Sequence, residues 1–400
     1  MRIIQRQKEQ APEVPVRLDA VRRPRYGRFL EEFEPGAVFR HPRGLTIFPE
    51  FALAFATTFM QANPLYLNEP YARAHGFARM PVSPMMTLNL ALSLGVQNDS
   101  EQAIAHLGYY DVVFPRPFYI GDTIRSETRV LSRRVRGPGK PGVVRMRTRG
   151  FNEQGEIVVQ YDRAILIPAG DEDALAQLPA TFAIDAPVAP AHELRLPDFT
   201  PRPLPLRTGG DTCFEDFKIG EIILHGNGRT VTDEHIAWTY RLGNTHPLHY
   251  DRVYSHGRQG PMSGEPIVYG GLVFAWLEGL ASRDTSENAL WDLGYTEGYH
   301  TQPVVAGDTL YAVSRVLAKE DVGDGSGAGV VTLQLIGVKN VTSAEALQKH
   351  GQALFHKESG KPRPERIRDK VFEIERRLLI KRRAAWEEMG KGDGISRFGS

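Results

Sequence analysis

The chain has 400 residues, 41% of them apolar and 24% charged, with a formal net charge of +1. This is a soluble globular composition, long enough for two or three cored domains, and its balance gives no global field to draw in nucleic acid or an anionic membrane. One cysteine, Cys213, excludes an intramolecular disulfide and a cysteine-rich zinc site. MRIIQRQKEQ has no signal-peptide core, and the longest apolar run, near Ile267–Leu280, is interrupted by glycines and carries Glu278, so a cytoplasmic protein without a membrane span is expected.

Residues 1–26 are basic and broken by prolines, and read as a loosely docked N-terminal arm. A first domain is expected over 27–168. It has a turn signal at Pro35-Gly36, a helical pattern from about Pro49 to Gln61, a more apolar helix from Pro84 to Gln97, and strand patterns at Ile124–Leu131, Val143–Phe151 and Ile157–Ile167. Residues 169–211, rich in Pro and Ala, read as a semi-rigid linker. A second domain over 212–358 repeats the order: a helix pattern from Thr232 to Leu242, an apolar helix from about Gly270 to Ala281, and strands at 308–318, 329–339 and 346–356. Residues 359–400 read as a charged C-terminal helix and tail, from the spacing of Val371, Phe372, Ile374, Leu378, Leu379 and Ile380. The class is α+β, each half a long central helix wrapped by an antiparallel sheet. Two such halves in one chain are the covalent counterpart of a twofold dimer, and a homo-oligomer of the whole chain stays open.

The halves are an internal duplication. Residues 107–131, LGYYDVVFPRPFYIGDTIRSETRVL, match residues 293–317, LGYTEGYHTQPVVAGDTLYAVSRVL, at a constant offset of 186, and Asn63-Pro64-Leu65-Tyr66 corresponds to His246-Pro247-Leu248-His249 at an offset of 183. Only the second copy has a side chain that titrates near neutral pH at this place.

The segment around Gly243, Pro247, His249 and Asp251, together with Val268-Tyr269-Gly270-Gly271-Leu272 and Ala306-Gly307-Asp308-Thr309, resembles the MaoC-type (R-specific) enoyl-CoA hydratases, a family with the hot-dog fold. Within that family, the paired LGY segments, Asn244-Thr245 and the long proline-rich linker are most similar to the mesaconyl-CoA hydratase (β-methylmalyl-CoA dehydratase) branch. The resemblance implies a double hot-dog fold and reversible syn hydration of an α,β-unsaturated acyl-CoA, with the acyl-CoA thioester as partner and no cofactor. The family's usual catalytic Asp is Asn244 here, and Gln61 and Tyr66 stand at the Asp and His positions of the first half.

Hydration needs a base for the attacking water, and His249 is the candidate. Asn244 cannot take a proton. It either orients water or His249 through its amide or simply ends a helix. His246 is a second acid/base or a loop residue, and Asp251 a further acid/base or substrate contact. Gly270 and Gly271, at a helix start, either offer N–H groups to the thioester oxygen or serve tight helix–sheet packing, whereas Pro84 at the equivalent place has no N–H. Asp122 and Asp308 recur in both halves and read as turn residues. Arg241, Arg252 and Arg258 are candidates for a second substrate carboxylate, and Glu278 keeps a thioesterase open. A non-catalytic acyl-CoA-binding protein is the remaining alternative. No metal-ligand spacing is present.

Overall fold

A computed structural model describes residues 15–185, 194–201, 208, 211–258 and 263–386. Its strands are β1 (Val38–Thr46), β2 (Ala105–Val113), β3 (Thr123–Arg134), β4 (Gly142–Phe151), β5 (Ile157–Ile167), β6 (Thr181–Ala183), β7 (Ile222–Leu224), β8 (Arg229–Thr230), β9 (Ala289–His300), β10 (Thr309–Asp321), β11 (Ala328–Lys339) and β12 (Lys370–Lys381). They form one antiparallel sheet in the order β1-β3-β4-β5-β2-β9-β12-β11-β10-β7, with β6 added to β3 and β8 to β10. The order reads the same from both ends, as a twofold relation between the halves requires. The join is the β2–β9 pair, where Tyr109 faces Gly298 and Val112 faces Tyr295. The duplicated LGY segments are thus the two seam strands. Gly294 is needed there: its φ is +124°, and a Cβ would lie 1.9 Å from the Val112 carbonyl oxygen.

Each half wraps a 16-residue helix, Pro84–Asp99 or Gly270–Thr285. The first starts on Ser83, whose Oγ accepts from the Met86 N–H at 3.2 Å, with Pro84 at the first helical position. Both are buried on almost every side, so neither shows an amphipathic stripe. The helices touch near their first turns, where Asn89 Nδ2 donates to the Gly271 carbonyl at 3.2 Å. Among the described residues, no helix is long and apolar enough to cross a membrane.

Three expectations fail. Residues 370–381 are strand β12, at the centre of the second half-sheet between β9 and β11, and not a helix. Burial on both faces removes the alternation that marks a half-buried strand. Its charges are tolerated because they are paired inside, as in Lys370–Glu373 at 2.6 Å. The second half therefore continues past 358; the tail beyond Trp386 lies outside the described residues. The segment 346–356 is a helix, Ser343–His350, followed by a 3₁₀ turn. It starts on a Thr342/Glu345 capping box that the sequence displays. The 169–211 segment is not all linker: a short helix (Glu172–Ala176) and β6 pack on the first half, and Phe199 is buried against Phe77. Part of it, like residues 1–14 of the arm, lies outside the described residues.

Candidate active site

The histidine loop is held by local capping. His246 precedes the 3₁₀ turn Pro247–His249, and its Nδ1 accepts from the Leu248 N–H at 3.2 Å. Its Nε2 donates to the Ala103 carbonyl of the first half at 2.9 Å. With both ring nitrogens engaged, His246 is a structural residue and not a second acid/base. Asn63 caps the matching first-half turn in the same way, accepting from Leu65 N–H at 3.0 Å. Asn244 is buried, lines the cavity described below, and its Oδ1 accepts from the His246 N–H at 3.0 Å. Asp251 is exposed and caps the following short helix through Tyr254 N–H at 2.9 Å. It does not reach the cavity.

His249 borders a cavity of about 570 Å³ that also receives Asn244, Gly270, Tyr269, His300 and, from the first half, Arg163 and His106. Its Nδ1–H donates to the Ile267 carbonyl at 2.8 Å, which fixes the tautomer and leaves a lone pair on Nε2. Burial, then the neighbouring His246, pushes its pKa down to about 3, against the pull of the Ile267 bond. Burial likewise takes His246 and His300 down to about 4. The imidazole of His249 is therefore a neutral base throughout the physiological range.

Gly270 lies in the cavity wall at the first helical position, where an N–H has no intrahelical partner. A Cβ there would be 2.6 Å from His300 Nε2, so glycine is what lets that ring close on the helix start. Gly271 is turned away. A Cβ on it would collide with Asn89 Oδ1 at 1.8 Å, so its smallness serves helix–helix packing and not a ligand. The three arginines suggested for a carboxylate are elsewhere: Arg241 stacks over Trp238, Arg252 pairs with Glu265, and Arg258 donates to Tyr254 Oη. Asp122 and Asp308 hold turn structure through Arg79 and through Lys339 and Asn340. Among the described residues, no group of three His, Cys, Asp or Glu side chains could hold a metal ion.

Sequence reasoning missed His106, His300 and Arg163. His106 and His300 sit at the edges of the duplicated LGY segments, and the signal was available there: the matching positions are Asp292 and Phe114, so each histidine breaks the repeat.

The first half has a counterpart of this cavity, closed to about 10 Å³. Gln61, Asn63 and Tyr66 stand where Asn244, His246 and His249 stand. Its interior is filled by ions. Glu278 accepts from Gln61 Nε2 at 3.0 Å and from Arg376 Nη2 at 2.6 Å, and Arg376 Nε donates to Asp292 at 2.9 Å. Glu278 is thus committed to this cluster and does not line the cavity that His249 borders, where a thioesterase base would be needed.

The geometry makes Asn244→Asp informative, because the shape and the bond from His246 N–H are kept while a carboxylate enters the cavity wall. That charge favours the imidazolium of His249 and raises its pKa. The native acid limb of kcat/KM should lie well below pH 5, and the variant's limb should move upward toward neutrality, by at least ~1 unit. Superimposable pH–rate profiles would remove Asn244 from the neighbourhood of the base.

The family model described as mesaconyl-CoA hydratase matches residues 13–179. A mesaconyl-CoA hydratase of Cereibacter sphaeroides is 32% identical over 320 residues, covering 79% of this chain and 90% of that protein. A β-methylmalyl-CoA dehydratase of Chloroflexus aurantiacus is 29% identical over 320 residues, covering 78% and 89%. Among solved structures, a MaoC domain protein dehydratase from Chloroflexus aurantiacus superposes with a TM-score of 0.75 at 25% identity, covering 91% of this chain and all of that one. A Mycobacterium tuberculosis protein described as a double hot-dog fold superposes at 0.65 and 20% identity, covering 88% and 98%, which bears on the fold alone. Palindromic sheet, paired central helices and sequence kinship agree: the chain has a double hot-dog fold and belongs to the mesaconyl-CoA hydratase family.

Proposed function

We propose that the protein is a hydro-lyase that adds water reversibly to an α,β-unsaturated acyl-CoA, with mesaconyl-CoA to β-methylmalyl-CoA as the reaction. The observation that carries this is His249: a neutral, tautomer-fixed imidazole with a free Nε2, at the wall of an acyl-sized cavity beside a helix start. Its Nε2 takes a proton from water as the water oxygen bonds to C3. The C2–C3 π electrons move into the thioester, and the resulting enolate oxygen is met by the N–H of Gly270 at the positive end of the Gly270–Thr285 helix. The imidazolium returns its proton to C2 and the carbonyl re-forms. One base serves both transfers on one face of the double bond, because His246 is fully hydrogen-bonded and the Asn244 amide does not titrate. That economy gives syn addition. Asn244, in the same cavity wall, holds the water through its amide in this reading.

Incubation with mesaconyl-CoA and with crotonyl-CoA, following loss of the enoyl-thioester absorbance, tests the reading. Rapid hydration of mesaconyl-CoA is expected. Turnover of crotonyl-CoA at the same kcat/KM would mean a broad enoyl-CoA hydratase, and binding of both without turnover a non-catalytic acyl-CoA protein.

A further inference from the structure

The two halves hold the same arginine in two different states. Arg163 on β5 pairs in register with Tyr109, and Arg376 on β12 pairs with Tyr295, the duplicated partner of Tyr109. At the closed cavity the Arg376 guanidinium is saturated with acid, with Glu278 on Nη2 at 2.6 Å and Asp292 on Nε at 2.9 Å. At the open cavity both carboxylates are gone. The residue matching Glu278 is Leu92, and the residue matching Asp292 is His106. Arg163 keeps Asp99, which accepts from Nη2 at 2.9 Å, and the Ser100 hydroxyl, 3.5 Å from Nη1 and 3.4 Å from Nη2. Its Nε has no hydrogen-bond partner, nor has either ring nitrogen of His106 or the Nε2 of His300, although all are shielded from bulk water. These three side chains line the cavity, with the rings of His106 and His300 5.9 Å apart. Orphaned buried donors are costly and are kept where a ligand completes them.

We propose that Arg163, with His106 and His300, is the receptor for a free carboxylate on the acyl group, and that the substrate's carboxylate plays on Arg163 the part that Asp292 plays on Arg376. This deepens the hydratase reading and rests on it. In the acyl chain of mesaconyl-CoA the carboxylate is bonded to C3, the carbon that takes the hydroxyl. A carboxylate seated on these side chains therefore fixes C3 within the cavity that His249 borders. The closed cavity supplies the charge precedent within the same chain, one buried guanidinium with two carboxylates. At the open cavity Asp99 is the first and the substrate is the second. A monocarboxylic enoyl-CoA leaves the Arg163 Nε and the imidazoles unpaired, which is the stronger form of discrimination available to a buried polar site.

The test uses saturated analogues, so that binding is read without turnover. Methylsuccinyl-CoA carries the carboxylate, and 2-methylbutyryl-CoA carries a methyl group in its place. Titration calorimetry on the whole chain should show methylsuccinyl-CoA binding at least ~10-fold tighter, the scale of one charge-assisted hydrogen bond. Arg163→Gln should bring the ratio of the two affinities to about one. His106→Asp rebuilds against Arg163 the acid that Asp292 presents to Arg376, and should do the same by occupying it. This second variant keeps the test decisive if Arg163→Gln, which strands Asp99, does not fold. Arg241→Ala, outside the cavity, should keep the native ratio. Equal affinities in the native protein, or a native ratio in folded His106→Asp, overturn the inference. Hydration of mesaconyl-CoA, assayed in parallel, separates the two readings. Hydration without a carboxylate preference rejects only the receptor. A preference without hydration rejects the hydratase and leaves the receptor standing.

Discussion

His249→Ala is expected to lower kcat by at least ~100-fold, the usual scale of a lost general acid–base group. The loss should fall on kcat more than on KM, since the imidazole acts on water and on the proton at C2 and not on the CoA moiety. The size follows from the lack of a substitute. His246 spends both nitrogens on Leu248 and Ala103, Asn244 does not titrate in the required range, and Asp251 caps a surface helix. The pH profile should agree. With the His249 pKa held near 3 by burial, the native enzyme should show a flat acid side from pH 8 to about 5, because the base is not protonated in that window. Tyr66→Phe, at the matching position of the closed half, should leave kcat within twofold. Comparable losses at both positions in a stopped-flow or absorbance assay would mean that the halves share the chemistry, against the asymmetry seen in the structure.

Arg376→Met should destabilise the fold by ~3–5 kcal/mol, because it removes the one cation shared by two buried carboxylates and leaves both behind. The cluster bridges the halves: Gln61 and Tyr66 come from the first, and Glu278, Asp292 and Arg376 from the second. Burial already holds both carboxyls above their ordinary pKa, with Arg376 opposing the shift, and its loss raises them further. The sign of the pH dependence follows. A carboxyl whose folded pKa is raised contributes its stability below the unfolded value near 4 and loses it as pH rises through the folded value. The deficit of the variant should therefore be small near pH 4 and full by pH 8. Urea denaturation at both values checks this. A deficit under ~1 kcal/mol at pH 8, or one that grows toward acid, would remove the cluster as a cross-half anchor.

What the sequence determined by itself was local or repeated. Turn glycines, the apolar runs of the two central helices and the Pro-x-His loop are short-range signals; the ungapped offset of 186 residues carried the twofold relation, and the match at an offset of 183 singled out His249. The tertiary structure decided what depends on strand order. A central strand buried on both faces loses its alternation, so β12 looked like a helix. Between β11 and β12 the chain inserts a helix and two 3₁₀ turns where β4 and β5 are joined by a tight hairpin. The equivalence offset consequently grows from 186 to 213 residues, seen in Arg163 and Arg376 facing Tyr109 and Tyr295. That shift concealed the paired arginines from any constant-offset comparison. The cavity is equally non-local: Ala103, His106 and Arg163 of the first half meet His249 and Gly270 of the second only because β2 and β9 join the two sheets edge to edge. Periodicity reports which face of an element is buried; which element covers it is settled by the pairing of strands far apart in the chain.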